Sequence, residues 1–132
     1  MDALYEVAGI QQPPSNEAEP AAQKRWFTST EMDLYTWEVA PQLIQSFQLC
    51  YNKPLQEHAL QWHHQYGFSH MVVDNNPNFG GHSQTALLRP ANQKVVLNLP
   101  VKFAALNEKL PAYIRQFVEA KLTEFLAQQK AK

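Results

Sequence analysis

A chain of 132 residues with 45% apolar and 17% charged residues fits one domain that can bury a core without disulfides. Its formal net charge is −1 and no basic run exceeds the pair Lys24-Arg25, so the basic footprint that nucleic-acid binding needs is missing. No apolar run approaches the ~20 residues of a membrane span, and the only cysteine, Cys50, excludes an intrachain disulfide.

Met1 to Val7 is acidic and lacks the basic start and apolar centre of a signal peptide. The expectation is a reduced, cytoplasmic protein with no nucleic-acid or membrane partner. Residues 11 to 24 carry three prolines and no large apolar side chain, too little to offset the entropy of ordering. Residues 1–24 are therefore expected to be a flexible N-terminal tail, with Leu4, Tyr5, Val7 and Ile10 as its only sticky positions. Residues 25–132 are expected to form a single α+β domain.

From Arg25 onward the pattern is one of short β-type runs divided by turn residues. Glu31 to Val39 alternates around Tyr35, Trp37 and Val39, and Ala40-Pro41-Gln42 breaks it. Leu43 to Tyr51 is closed by the turn-forming Asn52-Lys53-Pro54. Glu57 to His64 and Gly67 to Asp74 follow, then a loop by composition from Asn75 to Ser83. Thr85 to Arg89 and Lys94 to Leu99 flank Pro90-Ala91-Asn92-Gln93 in the manner of a hairpin. Such regular spacing predicts an antiparallel β-meander of five or six strands between about residues 26 and 99.

The last third changes period. After Pro111, which suits a helix start, Ile114, Phe117, Val118, Leu122, Phe125 and Leu126 recur at spacings of three and four. One C-terminal amphipathic helix from about Pro111 to Gln128 is predicted, its stripe buried on one face of the sheet.

All five histidines lie between His58 and His82, and histidine is the side chain that most readily carries a proton or a metal near neutral pH. Pairing Leu49 with Leu60 and Phe47 with Trp62 sets His58 across from Tyr51. Placing Phe68 opposite Trp62 sets His70 across from Leu60. His58 and His70 then become diagonal neighbours on one face, roughly 7 Å apart at the backbone, with Asp74 on that face at the strand end. A slip of one residue would send His70 and Asp74 to the other side. The spacing matches no zinc signature, so no metal site is expected. His58, His70 and Asp74 or His82 are the residues that a small metal- or histidine-dependent enzyme would use.

Nucleophilic chemistry is poorly provided for. Cys50 would pair with Ala59 and point away from His58, as a small hydrophobe. Ser83 beside His82 lacks a nucleophile-elbow pattern, and Gly80-Gly81 precedes a strand-like run rather than the helix that phosphate binding favours. No cofactor fingerprint is present, and no cofactor is expected. The aromatic residues Tyr35, Trp37, Phe47, Tyr51, Trp62 and Phe68 are the strongest constellation left. Most suit a core, but one helix cannot cover both faces of a meander. Tyr35, Trp37, Tyr51 and Trp62 are therefore the ligand-binding candidates, and a two-fold homodimer is the expected way of covering the second face.

The segments Asp33-Leu34-Tyr35-Thr36-Trp37, Phe47-Gln48-Leu49-Cys50-Tyr51-Asn52-Lys53, Glu57-His58-Ala59-Leu60-Gln61-Trp62 and Gly67-Phe68-Ser69-His70 together resemble a group of short bacterial proteins. The resemblance covers roughly residues 26 to 74. It implies a bacterial cytosolic origin and carries over no activity, cofactor or substrate. The function read from the residues is a small non-enzymatic binding or interaction module, acting through a dimerising sheet face or an aromatic-lined cleft for a small-molecule or protein ligand.

Overall fold

The computed structural model describes residues 2–7, 22–53, 57–74, 87–90 and 98–130. Among these residues, seven strands form one antiparallel sheet in which spatial order follows chain order. They are β1 (Tyr5–Glu6), β2 (Gln23–Thr28), β3 (Asp33–Ala40), β4 (Leu43–Tyr51), β5 (His58–His63), β6 (Gly67–Asp74) and β7 (Leu87–Pro90). Two helices follow, α1 (Leu99–Leu106) and α2 (Ala112–Lys130). The α+β meander with a C-terminal helical layer is the architecture that the sequence predicts, with one strand and one helix more. Among the described residues, no helix is long and apolar enough to cross a membrane.

The tight connections set the pairing, which in β3–β4 shifts register on either side of Glu38. Between Ala40 and Leu43, which face each other, Pro41 sets the backbone for the turn and Gln42 takes a left-handed conformation at φ 65°. The β5–β6 turn closes on Gly67 at φ 77°, opposite His63, where a residue without Cβ carries no steric cost.

The helices pack on one face only. Phe27, Leu34, Phe47, Leu49, Tyr51 and Leu60 of the sheet meet Leu99, Phe103 and Leu106 of α1 and Ile114, Val118, Leu122 and Phe125 of α2 in one core. Residues 114, 118, 122 and 125 repeat at helical spacing, so a single stripe of α2 is buried. Phe117 is only partly buried, its ring set edge-on to Phe47 and Trp62 at 6.3 and 5.2 Å; it flanks the stripe instead of lying in it. Pro111 stands just ahead of α2 and its carbonyl accepts from the Arg115 amide at 3.0 Å.

Two expectations are corrected. The strand read through Leu99 does not reach it: Leu99 opens α1, with Pro100 in the first turn where a missing N–H is harmless. Residues 91–97 lie outside the described ones. The first residues are not a free tail either. Leu4 is completely buried in the core, and its amide donates to the carbonyl of Leu106 at 2.9 Å, one of the last carbonyls of α1 and without a partner inside the helix. Tyr5 and Glu6 pair with Thr28 and Phe27, and Val7 donates to Trp26. Ile10 lies outside the described residues.

A polar clamp closes the β1–β3 edge of the helical layer. Arg25 grips both carboxylate oxygens of Glu6 at 2.8 Å and donates to the Tyr113 hydroxyl at 2.8 Å. The Tyr113 hydroxyl donates to Glu38. Burial first, and then the Glu38 carboxylate, push the Tyr113 phenol up to about 12. The hydroxyl is therefore a permanent donor at neutral pH and ties α2 to β3.

Candidate functional site

Two groups of side chains stand out, one on each face of the sheet. Under α2 lies a triangle of three rings contributed by neighbouring strands. Tyr51 faces His58 and Leu60 faces His70, the register expected from pairing the large apolar residues. The ring centres of Tyr51 and His58 are 5.4 Å apart, those of Tyr51 and His70 5.8 Å, and those of His58 and His70 5.8 Å. Phe125 of α2 caps His70 edge-on at 5.5 Å. His58 is buried.

The Tyr51 hydroxyl and Nε2 of His70 are hydrogen-bonded. Burial first, and then His58, lower the His70 pKa to about 4, so its imidazole is neutral at physiological pH. Burial raises the Tyr51 phenol above its ordinary range. The bond therefore joins two neutral groups, and the tautomer of His70 sets which of them donates. With Nε2 bonded to Tyr51 and Phe125 edge-on to the ring, His70 is held in place from two sides.

Asp74 belongs to β6, paired with Leu87, but its side chain is not among those described. His82, Ser83 and Gly80-Gly81 also lie outside the described residues. Among the described residues, no three His, Cys, Asp or Glu side chains converge as a metal-holding group. Cys50 pairs with Ala59 on the face opposite His58 and accepts from the Gln48 amide. Burial, the largest cause, pushes its thiol up to about 12, leaving almost no thiolate for nucleophilic attack.

The other face carries Lys24, Trp26, Asp33, Tyr35, Trp37, Gln48, Cys50 and Gln61, and no described helix packs against it. Trp26 and Tyr35 are directly opposed and stack at 5.9 Å with planes 12° apart. Trp37 continues the row, its ring 6.4 Å from Tyr35. All three are neither fully buried nor fully exposed. At one end the indole of Trp26 donates to Asp33 at 3.1 Å, and Asp33 also accepts from Thr28 and pairs with Lys53. Beside the rings, Gln61 donates to Gln48 at 2.9 Å.

The four aromatic residues singled out by sequence therefore do not share a cleft. Tyr35 and Trp37 belong to this second face, Tyr51 and Trp62 to the helical one, and the sheet stands between the pairs. Trp26 escaped the sequence reading, although its alternation with Lys24 and Thr28 marks it as a partner for Tyr35. Comparison of the chain with protein-family models, with characterised proteins and with solved structures found no match.

Proposed function

We propose that the protein is a non-enzymatic binding module whose working surface is the sheet face turned away from the helices, with Trp26, Tyr35 and Trp37 as its anchors. One observation carries this reading: the three rings form a continuous row on a face that no described helix covers. Tryptophan and tyrosine give large contact area with a polar handle and are enriched at interfaces. The Gln48–Gln61 pair and the Asp33–Lys53 pair supply a polar border of the kind that surrounds such anchors.

In its protein-binding form the module is a two-fold homodimer, since an apolar row in water favours association and closed isologous pairs are the commonest assemblies. Light scattering across a concentration series tests this form. A mass near twice 15.1 kDa that falls on Trp37→Ala or Tyr35→Lys is expected. A strict monomer at high concentration removes the dimer and leaves the row to a ligand of another kind.

A further inference from the structure

Lys24 stands directly opposite Trp37 across the β2–β3 pair, with Tyr35 diagonal to it on the same face. Its ammonium lies 4.9 Å from the centre of the Tyr35 ring and 5.5 Å from that of Trp37. The two planes are inclined by 31°, and Trp26 also stacks with Tyr35. One positive charge thus rests against two π-faces, the geometry by which aromatic cages hold ammonium groups. Asp33 lies two residues along β3 from Tyr35, on the same face. Burial first, then the charge of Asp33, and then Cys50 and Glu57 push the Tyr35 phenol up to about 12. Of these causes only the neighbouring negative charge favours a cation, since burial disfavours a charge of either sign.

We propose that the notch between Tyr35 and Trp37 is a recognition site for a methylated alkylammonium group, and that Lys24 fills it when no ligand is bound. The proposal rests on the reading of this face as the working surface and names what the face takes. A primary ammonium is compact and strongly hydrated, whereas a methylated one presents more surface to the rings and gives up less water. Lys24 hangs on a flexible four-carbon stem and leaves the notch by changing rotamers. While it stays, it lowers the apparent affinity of any competitor by the fraction of time the notch is closed.

Choline is the probe, with its uncharged analogue, in which carbon replaces the quaternary nitrogen, as the control. Binding is followed by proton–nitrogen NMR of the three tryptophan indoles, at a concentration where light scattering gives a monomer, because a dimer closing over the row would shut the notch. Choline should shift the Trp37 signal with millimolar affinity while the analogue does not. Lys24→Ala should bind choline about two- to fivefold tighter, the equivalent of one exposed cation–π contact removed from competition, and Lys24→Gln repeats the test should the alanine variant fail to fold. Tyr35→Leu, which keeps the Trp37 reporter, should lose the response. Equal binding of choline and its analogue, or no choline shift in a folded Lys24 variant, would overturn the proposal. Acrylamide quenching in a Trp62→Phe background separates the two readings. If Trp26 and Trp37 are quenched but choline does not bind, only the cation site falls; if they are shielded in the monomer, the working face falls with it.

Discussion

The rings of Tyr51 and His70 lie almost parallel, 8° apart with centres at 5.8 Å, and are joined edge to edge by the bond between the phenol and Nε2. His70 is neutral in the fold because burial disfavours its cation. Its folded pKa, about 4, is below the ordinary 6.5, so on acidification the unfolded chain takes up the proton first. The stability due to neutral His70 is complete above pH 6.5 and is lost progressively as pH falls towards 4. The loss should be on the order of 2 kcal/mol, given the residual solvent contact of the ring. Denaturant midpoints measured from pH 7 to 4 should fall less steeply in Tyr51→Phe/His70→Phe than in the parent. Equal slopes would mean that His70 is not the group responsible.

Thr36 lies on the helical face between Arg25 of β2 and Phe47 of β4, fully buried. Its hydroxyl has no hydrogen-bond partner among the described residues. Burying a hydroxyl without a partner costs about 1–3 kcal/mol. Thr36→Val keeps the shape and removes the polar atom, so it should raise the unfolding free energy by roughly 1 kcal/mol. A clear loss of stability would show that the hydroxyl has a partner after all.

Leu4 is as deeply buried as any core residue, although it belongs to the first few residues of the chain. Leu4→Ala should cost about 2–5 kcal/mol, as core leucines do. Phe117→Ala, at the rim of the helical stripe, should fall at or below about 3 kcal/mol, the lower end for a core aromatic. The ranking of the two variants in urea is the measurement. Near-identity of Leu4→Ala with the parent would return the N-terminal residues to the status of a tail.

Gln42 holds φ at 65° in the β3–β4 turn, a region that side chains enter at a cost and glycine enters freely. Gln42→Gly relieves that cost and also loosens the unfolded chain. The two effects oppose each other, and the net change in melting temperature should be small and positive. Gln42→Val, with a branch at Cβ, should lower it by the equivalent of about 1–2 kcal/mol.

Much of the register was legible because large apolar residues alternate cleanly in β4, β5 and β6. Matching Leu49 to Leu60 and Trp62 to Phe68 places His58 by Tyr51, His70 by Leu60 and Cys50 by Ala59. The division of the aromatics between two faces was legible in principle as well. A two-residue Pro41–Gln42 turn opposes Ala40 to Leu43 and carries on to Tyr35 opposite Gln48, which sends Tyr51 to the face away from Tyr35. Helix α1 was hidden because β-branched Val95 and Val96 suggest a strand just before Leu99, Phe103 and Leu106 fall at helical spacing. Leu4 was not legible: a lone leucine ahead of a proline-rich stretch has no period, and its partner Leu106 belongs to a helix far along the chain.

That distance has a consequence for synthesis. Every described strand pairs with the described strand next to it in sequence, so the meander can grow hairpin by hairpin as it leaves the ribosome. Leu4 emerges ahead of the strands, yet the carbonyl that receives its amide belongs to Leu106. At translation rates of about 5–20 residues per second, that carbonyl follows on the order of 5 to 20 s later. Through that interval the helical face of the sheet is uncovered and Leu4 has nowhere to go. The nascent chain is at its stickiest when its sheet is complete and α1 is not, and the seal closes only when α1 meets Leu4.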